Sequence, residues 1–592
     1  MNYSSGNYEA FARPRKPKDV DKKSAYLVGS GLAALSAAAF LVRDGQMKGE
    51  NIHILEALEL PGGACDAVYD SERKGYFMRG GREMEEHFEC LWDLYRSVPS
   101  LEIEGASVLD EFCWINRDDP NISPCRATVN QGKDAGLNKK FNLSDKALKD
   151  LMTLFMTRDE DLYDKRLDEV VSEDFFKSNF WLYWCTMFGF EPWHGALEVK
   201  IYMQRFSHGM RTMPDFNSLK FTKYNEYDSL ILPLVLYLKS NGVQFEYKCL
   251  VENVEFVIAD GKKTAKRILL TRNDVDENIE LTADDLVFVT NASCTESSTR
   301  GDNDHPAVVT VKDGEGDCWK LWRNIAAQDP SFGRPEKFCS NIEATKWESC
   351  TITTFDKRIP AYIEKITGRN PFNGMDATGG IITVKDSAWF MSYGIKRQPV
   401  FKTQKPEEMI TWVYGLYSDR PGDFIKKPIT ECTGNEIVQE WLYHIGVPEN
   451  EIPTLAAEST VGIPCMMPYI TAFFMPRTEG DFPDVVPEGS VNFAFIGQFV
   501  HTPRDPVFTT EKSVRTGMEA AYTLLDIERK VPEVFGSVYD VRNLLQSIPI
   551  LSDGRKISDM KLSLPDKMKL MEMLKMTEGT EAEDLMREYG LL

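Results

Sequence analysis

A short apolar strand, Ala25-Tyr26-Leu27-Val28, runs into Gly29-Ser30-Gly31-Leu32-Ala33-Ala34 and then into an alanine-rich helix that continues through Val42. No other feature constrains the fold as much. The glycine at 29 permits a tight turn, the glycine at 31 lets a pyrophosphate approach the backbone, and the small Ala34 lets the helix pack close to the strand. The helix N-terminus offers free N–H groups and a positive dipole end to phosphates. A second strand over 51–56 ends in Glu56, where an acid can bind ribose hydroxyls. The glycines alone are a weak signal. With the strand, the helix and the terminal acid in place they predict a dinucleotide-binding βαβ unit rather than an ordinary glycine turn. Pro61-Gly62-Gly63 follows the acid, and a late apolar strand, Phe493-Ala494-Phe495-Ile496, enters Gly497 before a loop and a helix from Thr510 to Leu525. Both features favour FAD over NAD as the cofactor, with Gly29, Gly31, Ala34, Glu56, Gly62, Gly63 and Gly497 as its binding residues.

The remaining composition narrows the class. At roughly 150 residues per domain, 592 residues imply several units. A net charge of −22 excludes nucleic acid as an expected partner, because phosphate binding needs clustered Lys and Arg. No apolar run approaches the ~18 residues of a membrane span, and Met1-Asn2-Tyr3-Ser4-Ser5 lacks the charged and apolar regions of a secretory signal. The 12 cysteines form no CxxC pair, so reduced thiols in a cytoplasmic protein are expected, without disulfides or a metal site.

Patterning along the chain suggests seven stretches: a polar arm (1–23), a first FAD-binding part (24–110), a mainly helical lid or substrate region (111–210), a second FAD-binding part (211–310), a substrate-binding domain (311–485), a last FAD-binding part (486–535) and C-terminal helices (536–592). The last stretch carries Lys567, Met568, Lys569, Leu570, Met571, Leu574 and Lys575, a basic, partly amphipathic pattern suited to resting on a lipid surface or packing on the protein body.

The run Arg79-Gly80-Gly81-Arg82-Glu83 through Tyr95 resembles the oleate hydratase family of bacterial FAD proteins, long labelled myosin-cross-reactive antigens. So do Tyr224 to Val235, Cys465 to Arg477 and Phe493 to Thr516. The resemblance spans about residues 24 to 550. It implies an α/β fold: an FAD-binding Rossmann-like domain of the GR2 type, an α+β substrate domain and a C-terminal helical segment. It also implies an FAD-dependent hydro-lyase that adds water across a cis double bond of a free fatty acid of the oleate or linoleate class. The flavin would shape the site without net redox change, and the protein would be a homodimer.

The resemblance assigns the proton donor to Tyr202 and the water-activating carboxylate to Glu83, with Arg82 orienting that carboxylate and Arg79, Gly80 and Gly81 lying against the flavin. A phenol of reference pKa about 10 stays protonated at neutral pH, and a glutamate of about 4.3 is ionised there. From the residues alone, Glu83 reads equally as a helix N-terminal carboxylate and Tyr202 as an interface tyrosine. Glu85, Glu86 and Glu89 read as a solvated face, and His87 as packed or solvated. The aromatic stretch from Phe175 to Trp193 reads as either acyl channel or core, as do Met466, Met467 and Met475. Where many members carry Thr, Asn and His to hold the fatty-acid carboxylate, this chain has Gly394, Lys396 and Val400, and Glu226 replaces a glutamine. Lys396 then supplies the counter-charge itself, or pairs with Glu226 and leaves the head group to Arg397 or elsewhere, or both changes face solvent. Two other functions stay open: an FAD oxidoreductase or isomerase of the amine-oxidase or carotenoid-desaturase type, and a non-catalytic lipid-binding flavoprotein.

Overall fold

The computed structural model describes residues 14–81, 83–555, 572, 575–589 and 591. Arg82, the first half of the polar arm, and Lys567, Met568, Lys569, Leu570, Met571 and Leu574 lie outside the described residues.

Five strands, Ser24–Val28 (β1), Ile52–Leu55 (β2), Gln244–Glu246 (β3), Asp285–Thr290 (β4) and Phe493–Ile496 (β5), form one wholly parallel sheet in the order β5-β4-β1-β2-β3. Parallel strands need crossover connections and bury both faces, so they read as continuous apolar runs. Leu286, Val287, Phe288 and Val289 of β4 and all four residues of β5 are buried. This is the α/β, Rossmann-like domain that the glycine motif implies.

Three helices position the site: Leu32–Arg43 (α1), Ala196–Arg205 (α2) and Thr510–Leu525 (α3). α1 follows β1 directly, and its face of small residues, Ala33, Ala34, Ala37 and Ala38, is buried. α3 crosses it closely. A Cβ placed on Gly517 would lie 2.7 Å from the Ala33 carbonyl oxygen and 2.5 Å from Ser36 Oγ, so only glycine permits this approach.

A second sheet has eight strands. Its order is Thr299–Arg300, Thr460–Met467, Trp347–Thr354, Met409–Gly415, Met391–Gly394, Ile382–Val384, Ala127–Val129 and Lys133–Asp134. Its pairs are antiparallel except Ile382–Val384 with Ala127–Val129. One face carries the aromatic core built by the Asn179–Phe188 helix, α2 and the Ala472–Phe474 turn. The other packs under Gly434–His444 and Ile452–Ser459. A three-stranded antiparallel sheet, Cys249–Ala259, Lys262–Arg272 and Val275–Glu280, extends from the parallel domain. Among the described residues no helix is long and apolar enough to cross a membrane.

The α1–α3 contact yields a first prediction. Gly517→Ala overpacks the crossing and is expected to destabilise the protein by about 1–3 kcal/mol. It should also push the α1 N-terminus off its position. Thermal unfolding with bound flavin measured in parallel checks this: a wild-type midpoint with full flavin retention contradicts the packing argument.

Candidate active site

A cleft of about 660 Å³ opens at the carboxyl ends of the parallel strands. This is where open α/β sheets bind ligands. Gly29, Gly31, Glu56, Gly62, Gly63, Arg79 and Gly497 all line it. Gly29 and Gly62 take φ of +85° and +124°, conformations that glycine adopts without a Cβ penalty. Gly31 bridges Gly62, and a Cβ on Gly63 would sit 3.1 Å from Gly31 Cα, so these two glycine turns leave backbone alone facing the cleft. The Glu56 carboxylate accepts from the Ser30 backbone N–H at 2.8 Å, from the Ser30 hydroxyl at 2.5 Å and from the Leu58 N–H at 2.8 Å. Three donors fix its position at the end of β2. Ala34 is fully buried behind the cleft, where its small size serves the α1 packing. Arg79 spans to Asp66 through Nε at 2.6 Å and Nη2 at 3.1 Å.

A second, separate cavity of about 90 Å³ lies beside this cleft, and Glu83, Gly81 and Tyr202 all line it. Phe508, Thr509 and Thr510 line both spaces and form the partition between them. Phe508 holds a φ of +70°, an uncommon conformation for a bulky residue. Tyr202 stands on α2, enclosed by Phe188 at 4.9 Å, Phe190 at 5.1 Å and Phe474 at 5.6 Å between ring centroids. Its hydroxyl donates to the Val507 carbonyl in the partition loop. Burial pushes the phenol well above its ordinary range, with the nearby Glu198 and Asp505 adding to the effect, so it stays protonated. Trp184, Met187 and Phe188 of the aromatic stretch also line the cavity, whereas Phe175 and Phe180 belong to the core. Met467 joins that core as well, and Met466 and Met475 are absent from the cavity wall.

The expected solvated glutamate face is corrected. Glu86 is exposed, but Glu85 and Glu89 are 5% and 8% exposed. Their partners explain the difference. Glu85 lies 2.7 Å from Arg205 Nη1 and meets His208 Nε2, and both Glu85 and His208 face the cavity. Burial pushes the Glu85 carboxyl up, but the His208 hydrogen bond and the Arg205 charge outweigh it and hold the group below the usual carboxylate range. His87 stacks on Phe535 at 3.5 Å and approaches Glu89 at 3.3 Å, so it is packed. Sequence reasoning missed Glu85, His208 and Phe508. A tertiary partner decides each of them, and no local pattern carries that signal.

Lys396 Nζ donates to Glu226 Oε1 at 2.9 Å, with both side chains largely buried, so neither is a solvent-facing change. The lysine lies across Gly81: a Cβ there would be 2.6 Å from Lys396 Cε and 2.7 Å from its Nζ. The glycine therefore leaves room for Lys396. Gly80, with φ of +141°, makes the preceding turn. Arg397 is engaged with Asp119, through Nε at 2.8 Å to the carboxylate and Nη2 at 2.7 Å to the carbonyl. Val400 is buried in the core, and Gly394 ends the Met391–Gly394 strand. None of Glu226, Gly394, Lys396, Arg397 and Val400 is on the cavity wall as it stands. Elsewhere, Asp423, Glu440 and His444 cluster, but Glu440 accepts N–H groups from Asp423, Phe424 and Ile425, which marks the cluster as a loop anchor.

A glycine-cradled nucleotide cleft sharing a partition with a largely apolar cavity that holds two carboxylates, Glu83 and Glu85, and one phenol defines a cofactor-binding α/β protein with an adjoining small-molecule site. The chain belongs to the MCRA family, which matches residues 22–522. It is 50% identical to the oleate hydratase of Streptococcus pyogenes serotype M49 (strain NZ131), over the whole of both chains. It is 30% identical to the linoleate hydratase of Lactiplantibacillus plantarum, over 85% of this chain and 93% of that one. Among solved structures, cyclohexylamine oxidase from Brevibacterium oxydans IH-35A aligns with 85% of this chain and 99% of its own at 12% identity and a TM-score of 0.48, too distant to carry an argument.

The Lys396–Glu226 pair gives a second prediction. Lys396→Met strips a buried carboxylate of its ammonium partner and is expected to cost about 3 kcal/mol, whereas Lys396→Met with Glu226→Met should recover most of the loss. Chemical denaturation of the wild type, the single and the double variant checks this. A double variant as unstable as the single contradicts the pairing.

Proposed function

We propose that this chain is a fatty-acid double-bond hydratase: it adds water across a cis double bond of a free unsaturated fatty acid of the oleate or linoleate class and releases a hydroxy fatty acid. The observation that carries the reading is that Glu83 and Tyr202 line one largely apolar cavity that shares Phe508, Thr509 and Thr510 with a dinucleotide cleft. Identity to an oleate hydratase over the full chain supports it.

The cleft residues fit FAD. Gly29, Gly31, Gly62 and Gly63 keep side chains out of a pyrophosphate's path, the α1 N-terminus faces the cleft and Glu56 suits a ribose hydroxyl. When bound there, FAD would supply a planar polar surface beside the partition that shapes the site and stabilises developing charge. Arg79, Gly80 and Gly81 would sit nearest to it.

The chemistry of this chain's own groups then balances. The Tyr202 O–H delivers a proton to one alkene carbon while water bonds to the other and yields its proton to Glu83. The Glu83 proton must afterwards return to the Tyr202 oxygen. Tyr202 gives up only a neutral carbonyl acceptor, Val507, when it turns to the substrate. The surrounding phenylalanines exclude bulk water from a carbocation-like centre, and positioned acid–base groups contribute roughly 10²–10⁴-fold. The Lys396–Glu226 pair braces Gly81 and thereby the turn that carries Glu83. A homodimer, and reversible docking of the basic C-terminal segment on a membrane surface where fatty acids partition, complete the proposal.

Incubation with oleic and linoleic acid in ¹⁸O-water tests the reading: a hydroxyl carrying ¹⁸O without flavin turnover is expected. Flavin reduction by substrate would instead mark an oxidoreductase, and neither outcome would mark a binding protein. Glu83→Ala and Tyr202→Phe should each keep flavin and lose product formation by at least about 10²-fold. Because the folded-state phenol pKa is raised, the protonated donor persists through pH 10. The kcat–pH profile should therefore stay level between pH 7 and 10, and a fall with an apparent pKa in that window would count against Tyr202 as the donor. A chain cut before Pro565 should lose co-sedimentation with anionic liposomes.

A further inference from the structure

The cations nearest the cavity are almost all matched to acids. Lys396 has Glu226, Arg397 has Asp119, and Arg205 has Glu85. Arg126 differs. It enters the Ala127–Val129 strand behind the cavity wall, is 5% exposed and has no acid within ion-pair distance among the described residues. Its Nη1 donates to the Met213 carbonyl at 2.5 Å and its Nε to the Ile381 carbonyl at 3.4 Å, while Nη2 is buried without any partner. The guanidinium is sandwiched between two rings, 3.3 Å from the Phe216 centroid and 4.8 Å from that of Tyr183. Burial pushes it down to about 9, although the Glu83 and Asp215 carboxylates act on it from beyond ion-pair distance, so it remains a cation at neutral pH. An unpaired buried charge is among the costliest features a fold can hold. A fork of guanidinium N–H groups is shaped to receive a carboxylate.

Phe216 stands between this charge and the cavity, which it lines together with Met213. Its φ is +59°, a strained conformation for a bulky side chain. Its ring is seated on Gly380, where a Cβ would lie 2.7 Å from Phe216 Cδ2. The cavity of about 90 Å³ is well below the roughly 300–1,000 Å³ of ordinary ligand pockets, so a long acyl chain enters only if a wall side chain moves. Displacement of Phe216 would both enlarge the cavity and uncover the free Nη2.

We propose that Arg126 is the carboxylate subsite for the fatty acid and that Phe216 is its cover, which swings aside as the chain enters. This rests on the hydratase reading for the class of ligand. It accounts for Gly394, Lys396 and Val400: with Lys396 committed to Glu226, the head group is received by an arginine on another strand.

The test uses myristate and methyl myristate, which carry no double bond to hydrate, titrated calorimetrically into flavin-loaded protein at pH 8. Arg126→Met should weaken myristate binding about 100-fold, and Arg126→Lys about 10-fold through loss of the planar fork. The methyl ester should change less than twofold in both. Should Arg126→Met fail to fold, the Arg126→Lys comparison decides. Phe216→Ala should bind myristate faster than wild type in stopped flow. Equal losses for acid and ester, or myristate binding unchanged in a folded Arg126 variant, overturns the subsite; an unchanged on-rate in Phe216→Ala overturns the cover. Oleate hydration by wild type combined with Arg126-indifferent myristate binding removes the subsite alone. Arg126-dependent myristate binding without any hydration removes the hydratase reading alone.

Discussion

A chain of buried charges holds the partition between the two spaces, and the site depends on it. Arg515 on α3 donates to Asp505 at 3.1 Å and to Glu511 at 2.8 Å, and Glu511 accepts the Cys90 and Leu91 N–H groups at 3.1 and 2.9 Å. Asp505 lies 3.7 Å from Arg205, which continues to Glu85 and His208 on the cavity wall. These links tie the loop before α3 to α2 and to the segment after Glu83. Each charge is tolerable only because the next compensates it, so losing one member leaves a buried ion whose cost is about 3–5 kcal/mol. That mutual dependence fixes Phe508 and Val507 against Tyr202.

The two spaces are built by different physics. The cleft is made of backbone: glycines, a helix N-terminus and one acid held by three donors. The cavity is made of side chains: phenylalanines, a tryptophan, one phenol, one carboxylate and the Glu85–His208 pair. A nucleotide needs polar groups placed by regular structure, which the βαβ unit provides locally. A reacting lipid chain needs dryness with a few proton carriers, which only packing from several segments can provide.

Charge accounting around Gly81 links fold to specificity. Lys396 occupies the space that a side chain at 81 would take, and its ammonium reaches Glu226. The turn that bears Glu83 is thus braced by a lysine–glutamate pair. Arg126 keeps a buried Nη2 without a hydrogen-bond partner and has no acid within ion-pair distance among the described residues.

The sequence by itself determined the parallel domain. Gly29, Gly31 and Ala34 between a strand and a helix, Glu56 at a strand end, and the apolar runs 286–289 and 493–496 are local signals, and hydrogen-bonded periodicity turns such signals into structure without distant help. The pairing of Glu83 with Tyr202 was legible only through family resemblance, since the two lie far apart in the chain and neither has a distinctive neighbourhood. Burial of Glu85 and Glu89, the commitment of Lys396 to Glu226, and the isolation of Arg126 behind Phe216 were decided by the tertiary structure. A charged residue's role is set by which counter-charge reaches it through space. Composition and spacing along the chain do not encode that distance, and folding does.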